Sequence, residues 1–235
     1  MAVHFNPEPQ NLAPDQLRVQ IRTRLVNSNF ANWERNLTYA RPFAPGVVQV
    51  LCLDYPDAIC TLGDKILPAL ALPLEELWKH GQQNTDAQPV DEIYDIDEYA
   101  HCMYGNPVFL ASRAGNFASL VSEVIGPAPM GVAFGIPDQT MLIYSVISIP
   151  EAFAQLMDVT RNIDVILCAP DMEHPGGVIS PDLYYWAPDG TVERIGVSGD
   201  DGMDITPTPS FTHYVPWKQQ SDHDPHEQAH IANVD

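Results

Sequence analysis

The sequence predicts an α+β fold, an antiparallel-rich sheet built on hairpins with helices packed on one face. Three observations carry that expectation. Two pairs of short apolar runs are each joined by a turn-forming cluster, the signature of hairpins. Helical segments opened by proline, with acids in the first turn, stand apart from those hairpins. Strands and helices do not alternate regularly, so a doubly wound parallel sheet is not expected.

In chain order, residues 14–26 place Leu17, Ile21 and Leu25 at i, i+4 and i+8 behind Pro14-Asp15. That pattern predicts a helix, although Leu17, Val19, Ile21 and Leu25 also fit the alternation of a strand. Residues 47–53 form a β-branched apolar run between Pro45-Gly46 and Asp54-Tyr55-Pro56-Asp57, which predicts a buried strand. Residues 73–79 open with Pro73 and carry Glu75 and Glu76, a helix start. Residues 107–111 read as a short strand and 117–124 as a short helix. The first hairpin joins 131–136 to 141–147 through Pro137-Asp138-Gln139-Thr140. The second joins 183–186 to 191–195 through Pro188-Asp189-Gly190. Between them, residues 150–161 predict a helix with Phe153, Leu156 and Met157 on one face.

From Ser198 onward the composition turns to aspartate, proline and polar residues, which bury too little apolar area to offset the entropy of ordering. The expected organisation is therefore one domain over 1–198 and an acidic, histidine-containing, mostly disordered tail over 199–235. Phe211, Tyr214, Val215 and Trp217 are the residues of that tail suited to anchoring on the body.

Charge narrows the function. Thirty-one acidic residues against eleven basic ones give the 235-residue chain a net charge of −20. Such a field repels phosphate backbones and anionic lipid, so neither nucleic acid nor a membrane surface is an expected partner, and a basic protein is. The basic residues concentrate early: residues 1–41 carry +2 and the rest −22. Arg18, Arg22, Arg24 and Arg35 could form a phosphate-binding face, but the expectation is that they are solvated or paired with the chain's own carboxylates. The four cysteines lack C-x-x-C spacing, residues 125–150 are broken by prolines and glycines, and the N-terminus has no apolar secretory core. A cytoplasmic protein is expected.

Arg41 to Val48, Leu53-Asp54-Tyr55-Pro56, Leu74-Glu75-Glu76-Leu77, Gln83-Asn84-Thr85, the hairpin around Ile136-Pro137-Asp138 and Ser180 to Tyr184 resemble a bacterial family of the YtpQ type. The resemblance spans about residues 41–195. It implies an α+β cytoplasmic protein and brings no catalytic residue, because its motifs are turns and caps.

Two segments carry candidate chemistry. His226-Glu227-Gln228-Ala229-His230 is an H-E-x-x-H motif, which on a helix sets two imidazoles on one face to hold zinc, with the glutamate as base. Five residues follow it, too few for a zincin's downstream ligand, and its helix would be too short to stand alone. A metal-dependent hydrolase using His226 and His230 is the alternative reading, and zinc is a cofactor under that reading only. The second segment is acidic: Asp91, Glu92, Tyr94, Asp95, Asp97, Glu98 and Tyr99 combine charge with tyrosines suited to an interface. It fits no calcium loop. His101-Cys102 are neighbours that do not face each other in an extended chain. Neither G-x-S-x-G nor a phosphate-binding glycine loop occurs. The expected function is thus a non-enzymatic interaction module that presents this acidic surface to a basic protein.

Overall fold

The computed structural model describes residues 8–30, 33–105, 108–199 and 202–216. Helix α1 (Pro14–Gln20) runs into β1 (Ile21–Asn27), followed by α2 (Trp33–Asn36), β2 (Arg41–Ala44), β3 (Val47–Tyr55) and β4 (Ala58–Thr61). Next come α3 (Leu74–Asp86), β5 (Val90–Asp95), β6 (His101–Gly105), a 3-10 segment (Ala111–Asn116) and α4 (Phe117–Leu120). The chain continues through β7 (Val132–Gly135), β8 (Met141–Val146), α5 (Ala152–Cys168), β9 (Leu183–Trp186), β10 (Val192–Gly199), β11 (Gly202–Ile205) and α6 (Pro209–Tyr214).

The strands form two antiparallel sheets. In the four-stranded sheet β1 pairs with β3 from Ile21 opposite Leu53 to Asn27 opposite Val47. Strands β2 and β4 pair with β3 as well. The seven-stranded sheet has the order β11-β10-β9-β7-β8-β6-β5. One of its faces packs Ala133, Ile143 and Tyr185 against Leu156, Val159 and Ile163 of α5 and Phe211 of α6. The opposite face packs Phe134, Leu142, Tyr184 and Trp186 against Phe117, Leu120 and the four-stranded sheet's Leu25 and Val47. The fold is the expected one, hairpins of antiparallel strands with helices laid on a sheet face. Gly131 shows how closely the strands approach: a Cβ there would overlap the Trp186 carbonyl and the Tyr185 ring, and its φ of 82° is left-handed.

Helix α3 buries Leu77, Trp78, Gly81 and Thr85, one face at helical spacing, against β1 and β3. It does more than cover apolar surface. Among the described residues strand β1 has one sheet neighbour, and side chains from three later segments satisfy its other edge. The Thr23 N–H donates to Thr85 Oγ1 at 2.9 Å, and that hydroxyl donates to the Thr23 carbonyl at 3.1 Å. The Leu25 N–H donates to Ser112 Oγ at 3.0 Å, and Gln139 Nε2 donates to the Leu25 carbonyl at 2.7 Å. Asn84 Nδ2 donates to the Ile21 carbonyl at 2.9 Å. Hydroxyls and carboxamides thus do for β1 what another strand would do, which lets the edge be buried.

Four expectations need correction. The helix over 14–26 ends at Gln20, and Ile21–Asn27 is a strand. Both of its faces are buried, Ile21, Thr23 and Leu25 on one and Arg24 and Val26 on the other, so its pattern never showed a plain polar face. Of residues 107–111, residue 107 lies outside the described residues and 108–111 do not form a strand: Phe109 and Leu110 are buried ahead of a 3-10 segment that Ala111, also buried, begins. On α5 the buried face runs through Leu156, Val159 and Ile163, leaving Phe153 and Met157 exposed. Finally, the folded body passes residue 198. Strand β11 pairs with β10 from Gly196 opposite Ile205 to Gly199 opposite Gly202, and α6 places Phe211 and Val215 in the core. Phe211 and Val215, with Met203, Ile205 and Tyr214 packed partly buried beside them, supply the apolar area that the composition of the segment concealed. Trp217 and the rest of the tail, 217–235, lie outside the described residues.

Candidate functional site

The acidic segment lies where the seven-stranded sheet ends. Strand β5 pairs with β6 on one side, Tyr94 opposite Cys102 and Asp95 opposite His101, and has no strand on its other side among the described residues. Residues 91–95 are all exposed. Alternation divides them: Glu92 and Tyr94 share one face with Tyr104, while Ile93 and Asp95 share the other with His101. Asp95 is tied back, its Oδ1 lying 2.7 Å from His101 Nδ1. Asp91 and Glu92 carry charge with no ion pair among the described residues. Beyond the strand the segment turns inward. Arg161 of α5 bonds Asp97 and also Asp158, the latter at 2.6 Å, and the Tyr99 N–H donates to Asp158 Oδ2 at 3.1 Å. The hydrogen bond from Arg161 holds the Asp97 carboxyl below its ordinary range. The structure therefore splits the expected site. Asp91, Glu92, Tyr94 and Asp95 form an open strand edge, Glu98 is exposed beside it, and Asp97 and Tyr99 fasten its end to α5.

A second polar site was not foreseen. Asp138, at the turn between β7 and β8, is fully buried. Its Oδ1 accepts from the Thr140 N–H at 2.8 Å and the Thr140 hydroxyl at 2.7 Å, and its Oδ2 lies 2.8 Å from His174 Nδ1. A carboxylate in that position fixes the imidazole's orientation, as it would for a general base. His174 belongs to the loop between α5 and β9, whose Gly176 lies directly on Arg24 of β1. A Cβ at Gly176 would collide with Arg24 Nη2 and stand 2.9 Å from Gln139 Cγ. Asp138 and Gln139 were legible only as turn residues; Leu25, which follows Arg24, lies 114 residues from Gln139, and His174 lies 36 residues from Asp138. Charge and spacing held no sign of their meeting.

The hydroxyl bonded to the Asp138–His174 pair is that of Thr140, which donates to Asp138. Burial pushes the Cys52 thiol up to about 12 and the Cys102 thiol up to about 11, so both stay protonated near neutral pH. His101 and Cys102 do point to opposite faces of β6, His101 packing 5.3 Å from the Tyr144 ring. Among the described residues no group of three or more histidine, cysteine, aspartate or glutamate side chains could hold a metal ion. His226 and His230, with the whole H-E-x-x-H motif, lie outside the described residues. Among those described, no helix is long and apolar enough to cross a membrane.

Comparison with protein-family models, curated proteins and solved structures gave no match, so none of the three bears on the YtpQ-type resemblance.

Proposed function

We propose that the protein is a non-enzymatic interaction module whose β5 edge takes up an extended, basic segment of a partner protein. The observation that supports this most directly is the open edge itself. A strand without an outer neighbour offers a row of backbone donors and acceptors to an added strand, and side chains on alternate positions then select the partner. Here Glu92 stands on one face and Asp95 on the other, with Asp91 beside them near the start of the strand and Tyr94 and Tyr104 supplying rigid amphipathic area at 41% and 40% exposure. Like charges oppose pairing of β5 with a second copy of itself, whereas lysine or arginine at alternate positions of an incoming strand would meet opposite charge. The chain's net −20 adds long-range attraction for such a segment.

The test uses an alternating Lys-Val peptide and the full chain. Binding measured by fluorescence anisotropy should weaken as salt rises and be lost in a D91K/E92K/D95K variant. Hydrogen exchange should slow at residues 90–95 when the peptide is bound. Protection appearing elsewhere, with residues 90–95 unchanged, would overturn the assignment.

A further inference from the structure

Three arginines carry a guanidinium Nε buried without a hydrogen-bond partner, and they differ in one respect. Arg22 has Asp54 at 3.6 Å and Arg113 has Glu123 at 3.4 Å. Arg24, 7% exposed, has no carboxylate among the described residues, and its one hydrogen bond there is a long 3.4 Å contact from Nη2 to the Gly176 carbonyl. A buried cation without a counter-charge is costly and is normally paired. Two carboxylates of its neighbourhood in the chain and the fold are occupied: Asp138, which precedes Gln139, with His174 and Thr140, and Asp54 with Arg22 of Arg24's own strand. Among the described residues Arg24 is neither exposed nor paired with a carboxylate, a departure from the expectation for it.

The adjoining side chain sharpens the chemistry. Gln139 is 1% exposed, and its Nε2 is committed to the Leu25 carbonyl, which leaves Oε1 buried with no donor. Arg24 and Gln139 both lie against Gly176. Forked cationic donors beside a buried acceptor suit an oxyanion that carries a proton of its own. Hydrogen phosphate, or a phosphomonoester in its singly protonated form, meets that requirement, and an ionised carboxylate does not.

The cover over this pair is lightly held. Residues 169–178 have no regular secondary structure, expose Met172 and Val178, and place Gly176 and Gly177 at φ of 79° and 87°. Among the described residues the polar ties from this loop to the rest of the chain are the His174–Asp138 contact, the Gly176–Arg24 bond and a 3.4 Å bond from the Ala169 N–H to the Ile166 carbonyl. Bonds from the Met172 N–H to the Ala169 carbonyl and from the Gly177 N–H to the His174 carbonyl lie within it. We propose that Arg24 and Gln139 form an inner site for a phosphate group, with residues 169–178 as the loop that opens to admit it and closes over it. This site is separate from the β5 edge and does not depend on the function proposed for that edge.

The test compares unfolding midpoints of the full chain in inorganic phosphate, O-phosphoserine and acetate at matched ionic strength. Either phosphate compound should raise the midpoint of the wild type above its value in acetate. A response to phosphoserine alone would place the phosphate on a larger molecule, and a response to both would admit free phosphate. An R24M variant should lose the difference, and its phosphate dissociation constant should weaken by about tenfold or more, the scale of a lost charge-assisted pair. An equal rise in wild type and R24M would be a general salt effect and would overturn the proposal. So would equal midpoints in phosphate and acetate. If R24M does not fold, hydrogen exchange of the wild type decides: slower exchange over 169–178 with phosphate supports the site, and unchanged exchange refutes it.

Discussion

Strands β1 and β5 each border a sheet, and their outer edges are finished in opposite ways. Along β1 the backbone groups facing away from β3 meet Thr85, Ser112, Gln139 and Asn84, and the strand is buried on both faces. Along β5 the outer backbone meets no strand among the described residues, and residues 91–95 are exposed and rich in acids. Side chains that mimic a neighbouring strand make an edge part of the core. Charge leaves an edge soluble and keeps it available. A third edge, β11, lies between these cases: it too is the last strand, but α6 behind it anchors Phe211 against Tyr185, ring centroids 5.0 Å apart.

The anchored edge should be the most sensitive. Phe211→Ala removes a fully buried ring and should cost about 3–5 kcal/mol, read as a lower midpoint in denaturant. If the melt moves by less than about 1 kcal/mol, β11 and α6 are appendages and the body does end near 198. The closed edge comes next. Thr85→Val keeps the shape but leaves both the N–H and C=O of Thr23 unpaired, at about 1–3 kcal/mol for each buried group. A neutral Thr85→Val would show that β1's edge is not sealed by side chains.

The same contrast has an alkaline signature. Cys52 sits in the closed sheet, and Cys102 one strand from the open edge. Their folded values, about 12 and about 11, lie above an unfolded value of 9.0. Above pH 9 the unfolded chain loses thiol protons that the folded chain keeps. Stability is therefore complete below pH 9 and falls as pH rises through 11–12, by about 1 kcal/mol per thiol in the first unit. Denaturant titrations of Cys52→Ala and wild type between pH 8 and 11 should show a shallower decline in the variant. The smallest effect belongs to the open edge. Glu92→Gln should change stability by no more than about 0.5 kcal/mol while weakening capture of a basic peptide, and a large loss of stability would mean the charge is structural.

The sequence revealed those parts of the fold that rest on local chemistry. Both hairpins were visible because Pro137-Asp138 and Pro188-Asp189-Gly190 encode turns by backbone preference, and α3 because Pro73 and its two glutamates mark a start. Strand β1 was hidden because both its faces are buried and its edge is closed by side chains 62 to 114 residues distant. The site divides in the same way. The acidity of residues 91–98 is local, and so it was readable, though its position at a sheet edge was not. Arg24 carried meaning only once the loop at Gly176 had come to rest on it, and no periodicity reports that.

The side-chain seal on β1 also orders events in time. Its parts come from α3, from the 3-10 segment at Ser112 and from the β7–β8 turn, separated from their partners by 62, 87 and 114 residues. Until the last of them arrives, a strand rich in Ile, Leu and Val has a bare edge in a half-made protein. The first sheet therefore cannot complete itself while the second is still unformed, and the two are bound to mature as one cooperative event. Contacts that distant make such an event slow, and during it the chain is open to sticking to its neighbours. The residues that seal the native edge are thus also the ones that end the period in which crowded copies can aggregate.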